Sequence, residues 1–97
     1  MHVVSSKLPG QKLVRIKTEL VEGRLRGPRL SGDFFLMPSE GVLALERVMD
    51  GWLVDDLEGL EEALTHAVAK EHLTLAGISP ASIVAALKEL PGAEDKT

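Results

Sequence analysis

The 97-residue sequence predicts an α+β fold: a three-stranded antiparallel sheet followed by about three helices packed on one face. Three observations carry this. Residues 12 to 20 alternate, with Val14, Ile16, Thr18 and Leu20 on one side and Arg15, Lys17 and Glu19 on the other, as a half-buried strand requires. After Phe35 the apolar spacing changes to steps of three and four residues, the period of an amphipathic helix. The strand-like segments all precede the helical ones, which favours helices gathered on one side of an antiparallel sheet.

The alternating strand is framed by Pro9-Gly10 and Glu22-Gly23, turn pairs that make His2 to Leu8 and Arg24 to Ser31 its neighbours in a meander. Leu25 and Leu30 have opposite parity, so both can face the core only if an extra residue intervenes. Gly27-Pro28 is the place for such a bulge, because proline has no N–H for the ladder and glycine tolerates unusual dihedrals. Ser39 is positioned to cap a first helix whose apolar stripe is Val42, Leu45, Met49 and Leu53, with Glu46 and Arg47 pointing elsewhere. Asp55 or Asp56 caps a second helix, which buries Leu57, Leu60, Leu64 and Val68 and sets Glu58, Glu61 and Glu62 near its positive end. Ser79-Pro80, a cap followed by proline at the first helical position, opens a third with Ile83, Val84, Leu87 and Leu90 apolar. Pro91-Gly92 stops it. The chain is thus expected to form one domain over residues 1 to 97, with a core over about 2 to 91 and a polar tail over 92 to 97.

At this length one compact core can form but not two. Hydrophobic residues make up 44% and charged residues 27%, and no apolar run is long enough to cross a bilayer, so the chain reads as globular. Residues 1 to 10 show no secretory leader, which makes the cytoplasm the expected compartment. Cysteine is absent, which excludes disulfides, thiolate metal sites and cysteine nucleophiles. The net charge of −4 is unevenly spread: residues 1 to 32 hold seven Lys or Arg against two acids, and residues 33 to 97 hold four against thirteen. The simplest account is that exposed strand faces use cations while the helices use Glu; a dedicated anion-binding face is the sharper one.

Groups able to carry chemistry are few in the sequence. His66 and His72 are six apart, which puts them on different sides of a helix and excludes the adjacent-turn spacing of paired metal ligands; with His2 they read as surface or boundary residues. There is no GxSxG elbow, no phosphate-cradling GxxxxGK[ST] loop and no constellation of nucleophile and base. The chain therefore predicts no activity of its own and no metal. With three aromatics, Phe34, Phe35 and Trp52, and none between the strand cations, nucleic acid is not an expected partner, and neither is a membrane. Trp52, beside Gly51, is read as a ring covering the junction between helices.

The informative segment is Leu30 to Glu40, LSGDFFLMPSE. Consecutive side chains of an extended segment point to opposite faces, so a strand continuing through it leaves one of Phe34 and Phe35 for a partner. If instead Gly32 turns the backbone and Asp33 bonds the turn, both rings roof the core.

SGDFF followed by a proline and an acidic residue resembles the signature of the C-terminal domain of lipoate-protein ligases, which in some archaea and bacteria is a separate small subunit. Lys7 to Ile16 is similar to that family's opening PGGK-type turn and strand, Glu22 to Leu25 to its second hairpin, Leu43 to Gly51 to its first helix, and Gly77-Ile78-Ser79 to the approach to its last helix. The resemblance spans about residues 7 to 90. Two positions depart from it: Gln11 stands where a second glycine is expected, and Pro28 where an apolar strand residue is usual. The resemblance implies a fold similar to the iron–sulphur scaffold proteins of the SufE and NifU type. It also implies a role beside a catalytic large subunit that forms lipoyl-adenylate from lipoate and ATP with magnesium and lipoylates a lysine of an acceptor domain, while this chain binds no cofactor alone. Gly32, Asp33, Phe34, Phe35, Pro38 and Glu40 become candidate partner contacts, with Lys12, Arg15 and Lys17 as candidate electrostatic contacts to an acidic partner. The alternative is a stand-alone SufE- or NifU-like scaffold unrelated to lipoylation, although persulphide or cluster transfer would need a thiolate that this chain lacks.

Overall fold

The computed structural model describes residues 1–93. It places β1 (His2–Ser6), β2 (Val14–Val21), β3 (Arg24–Gly32) and β4 (Phe35–Met37) before α1 (Gly41–Met49) and α2 (Leu57–Lys70), then β5 (Thr74–Ala76) and α3 (Pro80–Leu87). Strands β1, β2 and β3 form the expected antiparallel meander, with β2 central. Alternation turns Val4, Val14, Ile16, Thr18, Leu25 and Leu30 inward, where they are buried. The helices cover that side: α3 lies on β1 and β2, α1 lies on β3, and α2 packs against both helices. The fold is α+β, as the order of elements predicts.

The bulge stands where the parity of Leu25 and Leu30 requires it. Lys17 pairs with Arg29 and Glu19 with Arg26, so two steps along β2 match three along β3. Gly27 takes a positive φ of 62°, and Pro28 turns inward and is buried. The fully buried Thr18 lies on β2 beside the bulge, and its single hydroxyl proton is shared between the carbonyls of Glu19 at 3.0 Å and Arg26 at 3.2 Å. Pro28 therefore does not end the strand.

Four expectations need correction. Glu46 does not point away from the core: it is only 9% exposed, and its Oε2 accepts the N–H of Leu30 at 2.7 Å. Together with Asp50 Oδ1, which accepts from Gly27 N–H at 3.0 Å, it satisfies outward amides of the edge strand β3. Ser39 does not cap α1. The N-cap is Glu40, which makes no side-chain cap bond, while the Ser39 carbonyl accepts from Val42 N–H at 3.3 Å in the preceding turn. Leu53 lies outside α1, because Gly51 at φ 82° ends the helix and the chain then runs along β3, exchanging hydrogen bonds between Gly51 and Leu25, Leu25 and Trp52, and Val54 and Gly23. In α2 the fourth buried position is Ala67, and Val68 is half-buried.

Strand β1 stops at Ser6, whose hydroxyl donates to the Ser82 carbonyl at 2.7 Å. Asp56 caps α2 by accepting the Gly59 N–H at 3.2 Å. Ser79 caps α3 in a reciprocal capping box with Ser82. Trp52 is half-buried against the core, and its indole N–H donates to the Asp56 carbonyl at 2.7 Å within the connection between α1 and α2. The pairing of β4 with β5 was not expected, since three residues are too few to show a period. Most of the tail, residues 94 to 97, lies outside the described residues.

Candidate functional site

The site begins where the sheet hands the chain to the helices. β3 ends at Gly32 with φ 150°, and a Cβ there would fall onto the Leu13 carbonyl oxygen, so the chain can leave the sheet here only through glycine. Asp33 N–H then donates to that same carbonyl at 3.0 Å. The break separates the two rings. Phe34 is half-buried against the core, whereas β4 restarts the alternation at Phe35, which is 61% exposed. Leu36 points inward, and Met37, on the same strand face as Phe35, is 49% exposed.

After Met37 the chain passes through Pro38 and Ser39 to Glu40 at the head of α1. Gly41 is buried under the side chains of Leu36 and Leu73, with no room for a Cβ, which holds β4 tight against α1. Pro38 and Glu40 open onto a shallow cleft of about 350 Å³ that they line with Leu43, Arg47, Glu71 and Leu73. Leu43, like Met37, is half exposed.

Gly32, Asp33, Phe34, Phe35, Pro38 and Glu40 thus form one continuous corner. Of the two readings of the phenylalanines, neither is complete: Gly32 does turn the chain, but only Phe34 packs inward. Lys12 precedes β2 and is exposed. Its amide donates to the Gly77 carbonyl at 2.8 Å and its aliphatic stem lies over Gly77, while Arg15 and Lys17 project from the solvent face of the sheet. Sequence reasoning missed Met37 and Leu43 at the corner and Arg29 on the sheet. The bulge at Gly27-Pro28 gave the signal for Arg29, since adding one residue to β3 puts Arg29 opposite Lys17.

The corner presents exposed apolar side chains, with Glu40, Arg47 and Glu71 lining the adjoining cleft. Among the described residues no group of three or more His, Asp or Glu side chains could hold a metal ion, and no helix is long and apolar enough to cross a membrane. His66 and His72 are exposed.

No protein-family model and no curated protein matches the chain. Among solved structures it is similar to a chain from a structural analysis of an archaeal lipoylation system, a bi-partite lipoate protein ligase and its E2 lipoyl domain from Thermoplasma acidophilum. The two superpose with a TM-score of 0.74 and 21% sequence identity, over 93% of this chain and 97% of that one. The chain therefore shares, almost end to end, the fold of a protein from that archaeal system.

Proposed function

We propose that this chain is a non-catalytic accessory subunit of a two-component lipoate-protein ligase. A separate large subunit binds lipoate, ATP and magnesium, forms lipoyl-adenylate and passes the lipoyl group to a lysine of an acceptor domain. This chain supports the adenylation step by docking its Gly32 to Glu40 corner on that subunit. The carrying observation is Phe35, held 61% exposed within the very segment that resembles the ligase signature. Phe35 and Met37 lie on one strand face, with Leu43 exposed at the adjoining cleft, and an aromatic side chain grouped with exposed apolar neighbours is the kind of anchor that a partner surface covers. The fold shared with a chain from the Thermoplasma acidophilum study supports the reading, and mutual coverage of 93% and 97% means that the similar chain is also small.

On this reading the complex is a heterodimer of the cytoplasm in which every reacting group belongs to the large subunit. Co-expression of the tagged chain with the catalytic ligase subunit of the same organism tests it. The two should co-purify through gel filtration, and Phe35→Ala should release the large subunit. Co-purification that is indifferent to Phe35, Met37 and Leu43 together would remove the corner from the interface.

A further inference from the structure

The solvent face of the three-stranded sheet carries a charge pattern that folding does not explain. Its register places Arg15 between Ser5 and Ser31, and Lys17 between Val3 and Arg29, all of them exposed. Lys17 and Arg29 stand directly opposite each other, an arrangement of like charges that destabilises a sheet. The one acid among the exposed strand residues of this face, Glu19, is opposite Arg26. Arg24 is turned aside, donating from Nη1 to the Gly51 carbonyl at 2.9 Å. Arg15, Lys17 and Arg29 therefore form a cationic patch on a chain whose net charge is −4.

The chemistry of this patch selects its partner. No aromatic residue lies on this face to stack a base, and three cations are fewer than the roughly four to eight with which a basic cluster holds an anionic bilayer. A compact acidic patch on a folded protein matches a cationic patch of this size. Strength and lifetime decide between the two proteins that the proposed ligase would contact. Apolar burial, as at Phe35 and Met37, suits a lasting subunit contact, whereas a hydrated charged face gives fast, salt-sensitive and reversible encounters.

We infer that the Arg15, Lys17 and Arg29 face is the landing surface for the acceptor protein, which presents an acidic patch to it during lipoyl transfer. This rests on the ligase reading and adds to it a second, separate surface for the transient client.

Arg29→Glu tests the inference without harming the fold, because it replaces a like-charged cross-strand pair by an opposite-charged one. With the assembled ligase, lipoyl-adenylate and the lipoyl acceptor domain of the same organism, it should raise KM for the acceptor about tenfold, leave kcat unchanged and flatten the salt dependence of KM. Thermal stability should hold or rise. Lys88→Glu makes the same charge change at the exposed end of α3 and should leave KM at the wild-type value. An unmoved KM in Arg29→Glu overturns the inference, as does an equal rise in both variants, which would report net charge alone. Binding of RNA or anionic vesicles at about 0.15 M salt, lost in Arg29→Glu while KM stays put, would assign the face to a polyanion instead. If the wild-type chain fails to support adenylate formation, the ligase reading falls separately. Direct titration of the free chain with the acceptor domain then decides the face, and Arg29→Glu should weaken that binding about tenfold.

Discussion

Truncating Phe35 to alanine should cost the complex more than it costs the fold, and the structure sets both amounts. A phenylalanine side chain presents about 200 Å² of surface. With Phe35 61% exposed, about 120 Å² is open to a partner and about 80 Å² is already covered within the chain. At about 25 cal/mol per Å², covering the open part is worth about 3 kcal/mol. That corresponds to a loss of about 100- to 200-fold in Kd for the large subunit. The part already covered bounds the loss of folding stability at about 2 kcal/mol, and alanine keeps some of that contact. Phe34, half-buried against the core, should divide the other way: Phe34→Ala should cost about 2 to 3 kcal/mol of folding stability and have a smaller direct effect on binding. Titration calorimetry for Kd and urea unfolding for stability, run on both variants, measure the two amounts. A Kd for Phe35→Ala within about threefold of wild type, or equal destabilisation by both variants, would refute the assignment of outward and inward roles.

Two further outcomes follow from the supports of the corner. Glu46→Ala strands the Leu30 amide at the edge of the sheet and should lower unfolding free energy by about 1 to 3 kcal/mol, read by urea denaturation, with faster hydrogen exchange at Leu30; a change under about 0.5 kcal/mol would mean that water replaces the carboxylate freely. Gly32→Ala drives a methyl group into the Leu13 backbone and imposes a backbone conformation that alanine avoids, so it should destabilise by about 3 kcal/mol or more, whereas Gly10→Ala, at φ 77° with open space around it, should cost about 1 kcal/mol. Similar losses at both glycines would show that backbone conformation, and not the close approach to Leu13, makes Gly32 necessary.

The sheet was legible because β2 alternates without interruption and its neighbours are delimited by turn pairs. Even the bulge could be deduced, since the parity of Leu25 and Leu30 leaves no other way to bury both. The helix starts at Asp56 and Ser79 were legible for a local reason: each cap bonds an amide three residues away. Glu46 was misread because helical periodicity treats a carboxylate as a surface residue, while its actual partner, the Leu30 amide, is 16 residues distant in sequence and belongs to a strand edge. The end of α1 was misplaced for a similar reason, as the backbone bonds that divert residues 51 to 54 come from β3. At the site, sequence logic singled out the corner and left two readings of Phe34 and Phe35 open. It did not say which ring turns outward, because the phase of β4 is set by its pairing of Phe35 with Ala76 across a strand that follows two helices. Arg29 stayed unremarked because its meaning depends on the residue opposite.

The most direct test of the account is ATP–pyrophosphate exchange with lipoate, run with the large ligase subunit alone, this chain alone, and the two together. Exchange should appear only in the mixture. Full exchange by the large subunit without this chain, or exchange by this chain on its own, would contradict it.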